Sequence, residues 1–106
     1  MLTLDPQQTV ILERLLQNGF QLASFPLYSN CVGVKKGNCA ALLAPDEKGG
    51  LRLFSEPCYL LDGQLSVRVT RGARKMYVWK KKELAVTPES EAEIAAFQQE
   101  LLGLIR

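Results

Sequence analysis

The sequence contains no histidine, and this absence excludes several kinds of chemistry. Histidine is the usual general base near neutral pH and the commonest metal ligand in proteins. Catalysis by Ser-His-Asp or Cys-His arrangements is therefore excluded. An enzyme built on this chain would have to act without histidine, and no motif in the sequence supplies an alternative base.

Cysteine is also scarce, with Cys31, Cys39 and Cys58 as the only three and no C-x-x-C pair among them. A zinc site would have to combine thiolates with carboxylates and no imidazole, so we expect neither a metal nor a cofactor. An odd number of cysteines suits a reducing compartment. The first residues also lack the basic and apolar regions of a secretory signal, and together these features predict a cytoplasmic location.

Long hydrophobic runs are absent as well, so the sequence predicts no membrane span. The chain has 106 residues, of which 47% are hydrophobic and 23% are charged. These proportions are those of one ordinary folded domain that can bury its own core. We therefore interpret residues 1–106 as a single domain.

Two segments carry the start signals of helices. Asp5 can cap a helix with Pro6 at its first position and Gln8 in capping-box spacing, which predicts a helix over residues 6–18. Thr87 and Pro88, followed by acidic residues, predict a second helix over residues 88–105. The apolar residues of this second segment recur every three or four positions, so the C-terminal helix is expected to be amphipathic.

Between the helices the apolar pattern alternates with period two, and short turn sequences separate the runs. The pattern predicts strands over residues 21–25, 31–36, 39–43, 51–54, 59–61, 64–70 and 75–80. Connections of this length cannot hold crossover helices, so neighbouring strands must be antiparallel. The sequence therefore predicts an α+β domain with an N-terminal helix, an antiparallel meander of five to seven strands, curved or barrel-like, and a C-terminal amphipathic helix.

Charge is distributed unevenly, although the net charge is only +2. Residues 63–82, which we call the basic segment, hold seven basic and no acidic residues, whereas residues 83–106 hold one basic and five acidic residues. A two-residue turn at Gly72-Ala73 would pair Arg71 with Arg74 and set the register of a hairpin. The basic segment is thus predicted to form one hairpin.

This register sorts the hairpin side chains onto two faces. Val67, Val69, Met76 and Val78, with Leu65 beside them, form an apolar face expected to belong to the core. The opposite face places Arg68 beside Tyr77 and Thr70 beside Lys75. Our candidate binding residues lie on that face and in the lysine run that follows it: Arg68, Lys75, Tyr77, Trp79, Lys80, Lys81 and Lys82.

Three functions remain open on the sequence. The first is a non-catalytic module that binds a protein partner or associates with itself, favoured because catalytic motifs are missing and edge strands are present. The second is binding of single-stranded nucleic acid, in which rings stack on bases and cations hold phosphates. Against it, Tyr77 and Trp79 could instead lie beneath a helix. The third is a histidine-independent enzyme with a cysteine nucleophile.

Overall fold

The computed structural model describes residues 5–23, 25 and 31–105, and in that part of the chain two helices flank nine short strands. In chain order they are α1 (Pro6–Gln17), β1 (Gln21–Ala23), β2 (Val32–Lys36), β3 (Cys39–Pro45), β4 (Leu51–Leu53), β5 (Cys58–Leu61), β6 (Gln64–Leu65), β7 (Val67–Arg71), β8 (Arg74–Trp79), β9 (Lys82–Ala85) and α2 (Pro88–Ile105). Residue 24 of the predicted strand 21–25 lies outside the described residues.

Both helices begin where their caps predict. The Asp5 carboxylate accepts from the Gln8 backbone at 2.8 Å while the Gln8 side chain accepts from the Asp5 backbone at 3.0 Å, which completes a capping box. At α2 the Ser90 backbone donates to Thr87 Oγ1 and the Thr87 backbone donates to Ser90 Oγ. These reciprocal bonds satisfy amides that a helix start would otherwise leave unpaired.

The strands form a six-stranded antiparallel sheet curled into a half-barrel and a separate three-stranded sheet. The larger sheet has the order β1-β2-β3-β5-β6, with β4 paired to β3 beside this path. The smaller sheet has the order β7-β8-β9. The predicted fold class, with a helix at each end of antiparallel strands, is confirmed.

Two groups of buried side chains hold these elements together. The first joins the apolar stripes of α1 and α2, including Leu15 and Leu101, to one face of the larger sheet. The second lies on the other face of that sheet and includes Leu42 and Tyr77. Strand β3 separates the two and is buried on both faces up to its last residue, while Ile94 of α2 packs against both groups.

The predicted strand 64–70 is interrupted at Ser66. The Ser66 backbone and hydroxyl both donate to the Tyr59 carbonyl, at 3.0 and 2.7 Å, which keeps β6 on the larger sheet. Beyond Ser66 the chain pairs with β8 instead. Period-two alternation continues through such a change of partner, so the pattern alone cannot reveal it.

Strand β9 was not predicted. Lys80, with φ of 52°, and Lys81 form a two-residue turn that pairs Trp79 with Lys82 and brings β9 against β8. Lysine and glutamate open this strand, and neither favours strands on propensity. Pairing with β8 therefore decides its conformation.

Candidate functional site

The predicted hairpin register is confirmed residue by residue. Arg71 pairs with Arg74, Val69 with Met76, and Val67 with Val78. Gly72 adopts φ of +61° at the first turn position, a conformation that glycine reaches without steric cost. The turn therefore controls which side chains share a face.

The assignment of those faces to core and surface was wrong. The apolar face, which we call the outer face, consists of Val67, Val69, Met76 and Val78, and none of its side chains is buried. Val67 is 54% exposed. No member of the outer face belongs to or packs against either group of buried residues in the described chain.

The opposite face, which we call the inner face, instead supplies a core residue. Tyr77 is fully buried, and its ring stacks on Tyr59 with centroids 5.1 Å apart. The Tyr77 hydroxyl lies 3.1 Å from Ser90 Oγ. Because Ser90 donates its own proton to the Thr87 carbonyl, the tyrosine hydroxyl is the donor. The Tyr77 ring is consequently inaccessible to a nucleic-acid base.

Five other candidate residues remain at the surface. Arg68, Lys75, Lys81 and Lys82 are exposed. Lys80 is also exposed, and its ammonium lies 5.5 Å from the centroid of the Trp79 ring. A cation over the ring is attracted to its electron-rich face, so Lys80 occupies one side of the half-buried indole.

Carboxylates from β9 and α2 pair with two arginines of the basic segment. Arg68 contacts Glu91 of α2 at 2.6 Å, and Arg71 forms an ion pair with Glu83 of β9. Arg74, which lies opposite Arg71, is exposed and forms no ion pair with a described residue. Exposed pairs of this kind contribute about 0–1 kcal/mol, so their main effect here is to neutralise one arginine on each face of the sheet.

A cleft of about 650 Å³ lies between the inner face and α2, with Arg68, Tyr77 and Glu91 in its lining. Its buried polar side chains already have partners: Cys58 Sγ lies 3.2 Å from Ser66 Oγ, and the Tyr77 hydroxyl bonds to Ser90. Among the described residues no buried side-chain nitrogen or oxygen lacks a partner. The cleft therefore presents no unpaired buried group that would select a ligand.

The two buried cysteines, Cys39 and Cys58, are poorly placed to act as nucleophiles. Burial raises the pKa of the Cys39 thiol to about 12, with Glu93 adding to the effect, so the thiol stays protonated at neutral pH. Cys58 is buried beside the Ser66 hydroxyl. No group of three or more cysteine, aspartate or glutamate residues in the described ranges is arranged to hold a metal ion. No described helix is long and apolar enough to cross a membrane.

Sequence reasoning missed the outer face as a surface, although one signal pointed to it. A helix covers a sheet through its apolar stripe, and the chain predicts only two such stripes. Both stripes pack against the same face of the larger sheet. A second sheet is thus left without a helix to cover its apolar face.

Comparison of the chain with protein-family models, with curated proteins and with solved structures finds no match.

Proposed function

We propose that the chain is a non-catalytic protein-binding module and that its partner covers the outer face of the three-stranded sheet. The observation that carries this proposal is one continuous sheet face outside both buried groups, on which Val67 is exposed and Val69, Met76 and Val78 are only half-buried. An antiparallel sheet that faces water on one side normally alternates apolar residues inward with polar residues outward. Here the outward positions on β7 and β8 include two apolar cross-strand pairs, Val67 with Val78 and Val69 with Met76.

The free energy of association would come from removing this face from water. Burial of apolar surface contributes about 25 cal/mol per Å². Contiguous apolar patches on folded proteins commonly mark sites of interaction. A protein surface can cover two adjacent strands at once, whereas a small molecule needs a concave site. The outer face extends over two paired strands and is therefore better suited to a protein than to a small ligand.

We also propose a location in the cytoplasm, which the three cysteines support. They are free thiols, and Cys39 and Cys58 are buried among apolar residues. Unpaired thiols persist in reducing compartments.

The test is selection of binding peptides from a display library of random peptides about 12 residues long, enough to cross the sheet at ~3.3 Å per residue. We expect wild-type protein to enrich peptides that bind it. Val67→Gln should weaken their binding about tenfold, because it places a polar amide within the contact. Glutamine is uncharged, as valine is, so the substitution leaves the charge of the sheet unaltered.

Val10→Gln is the matched control, because Val10 is 53% exposed on α1, away from the three-stranded sheet. This variant should bind the selected peptides as wild type does. Urea denaturation should show that both variants stay within ~0.5 kcal/mol of wild type, as surface substitutions usually do. Failure to enrich any peptide, or equal binding by the two variants, would contradict the proposal.

A further inference from the structure

We infer that the partner segment which covers the outer face is acidic, with carboxylates flanking the apolar residues that contact the valines and Met76. This inference rests on the proposed function and names the chemistry of its partner. The supporting observation is the position of the charges around the outer face. Cations lie at both ends of the three-stranded sheet, whereas Glu83, opposite Val78 on the outer face, is the one acidic side chain in the described strands β7, β8 and β9.

The hairpin tip shows the charge imbalance most clearly. Arg71 and Arg74 are paired across the strands on the outer face, and among the described residues only Arg71 has a carboxylate partner, in Glu83. Like charges directly opposite one another destabilise a sheet. A partner carboxylate at the tip would offset this repulsion and bond to the Arg74 guanidinium. Arginine is well suited to that role, because its planar donors match a carboxylate.

The other end of the sheet carries charge of the same sign. Lys80 and Lys81 form the exposed turn after β8, while exposed Lys82 lies opposite Trp79 on the inner face. A second copy of the chain placed on this face through a two-fold axis would bring its tip against one of these two basic ends. Repulsion at both ends therefore disfavours self-association through the outer face, and the same charges favour an acidic segment.

A protein segment fits this surface better than a nucleic acid does. Nucleic acid would need accessible rings for stacking, but Tyr77 is buried and Lys80 lies over Trp79. Phosphates would gain nothing from the apolar centre of the outer face. An acidic segment that also carries apolar residues can pack against the apolar centre and pair with the cations at the ends.

The experiment uses the peptides selected by the wild-type protein together with analogues in which each aspartate or glutamate is replaced by its amide. We expect the selected peptides to be rich in acidic residues and the amide analogues to bind about tenfold more weakly. Raising the salt concentration from about 0.05 to about 0.5 M should also weaken binding, because it screens exposed charges.

Arg74→Glu should weaken peptide binding at least about fivefold, because it reverses the unpaired charge at the hairpin tip. Arg52→Glu is the matched control, since Arg52 is an exposed strand arginine of the larger sheet. It makes the same change of charge outside the outer face and should bind as wild type does.

Each contrary outcome has a distinct meaning. If Val67→Gln abolishes binding but the amide analogues and Arg74→Glu bind normally, the acidic partner is refuted while the protein-binding function stands. If a poly-thymidine oligonucleotide binds and Arg74→Glu removes that binding while no peptide is selected, the ligand is nucleic acid. If light scattering shows a mass that rises with concentration and falls with Val67→Gln, the occupant is a second copy. Either of the last two results overturns the inference.

Discussion

At the scale of single residues, Tyr77 determines how the three-stranded sheet sits on the rest of the molecule. It is the one described residue of β7, β8 and β9 that is buried. Its ring stacks on Tyr59 of β5, and its hydroxyl bonds to Ser90 of α2. A single side chain thus connects this sheet to both the larger sheet and the C-terminal helix.

Substitutions of Tyr77 should separate the contribution of its ring to stability from that of its hydroxyl. Tyr77→Phe removes one donor and leaves Ser90 with its bonds to Thr87, so we expect the free energy of unfolding to fall by about 1 kcal/mol. Tyr77→Ala also removes the ring from the core and should cost about 3–5 kcal/mol. Urea denaturation measures both, with Val67→Ala as a half-exposed control on the same sheet. A loss below ~0.5 kcal/mol for the alanine variant would show that Tyr77 is not an anchor.

At the scale of elements, two glycines show how strand and helix contexts reverse the effect of the same methyl group. In β2, a Cβ on Gly33 would lie 2.4 Å from the Ala23 carbonyl oxygen of the paired strand and 2.8 Å from the Phe25 ring. In α2, a Cβ on Gly103 would meet no atom within 4 Å. Pairing of β1 with β2 makes glycine necessary at position 33, whereas α2 merely tolerates glycine at position 103.

Alanine substitutions at these positions should therefore change stability in opposite directions. Gly103→Ala should raise the free energy of unfolding by about 0.5–1 kcal/mol, because alanine loses less backbone entropy in a helix. Gly33→Ala should lower it by about 1–3 kcal/mol, because the backbone of β1 must move to admit the methyl group. Thermal and urea unfolding provide the measurement. An increase in stability for Gly33→Ala would contradict the close pairing of β1 with β2.

At the scale of the whole molecule, the shape is elongated, with extents of 45, 26 and 22 Å. The radius of gyration is 14.1 Å, above the ~13 Å typical of a chain of about 100 residues. The three-stranded sheet shares only Tyr77 with the buried groups, while β3 is buried on both faces. The two sheets are therefore stabilised to different extents.

Native-state hydrogen exchange should reveal this difference. We expect the amides of β3 to exchange only through global unfolding, because apolar layers cover both of its faces. The amides of β7 and β9 should exchange through a smaller local opening, since few of their side chains are buried. Addition of a peptide that binds the outer face should slow exchange in β7 and β8 and leave β1 and β2 unchanged. Uniform protection of all strands in the free protein would contradict this expectation.

The helices and the hairpin register could be predicted because they depend on neighbours in the sequence. The caps at Asp5 and Thr87 lie within three residues of the amides that they satisfy. The Gly72-Ala73 turn sets its register through the adjoining residues alone. The number of charged residues in each segment likewise locates the basic segment from the sequence alone.

The face of the hairpin that enters the core could be decided only by the tertiary structure. Both faces carry large apolar or aromatic side chains, so alternation alone does not distinguish them. Contacts with β5 and α2, distant in sequence, bury Tyr77, while Val67 of the outer face stays exposed and Val69 and Val78 are half-buried. The sequence by itself determined the elements, the register and the charge of the basic segment. Long-range packing selected the buried face, because β5 and the start of α2 contact the inner face and no described helix covers the outer face.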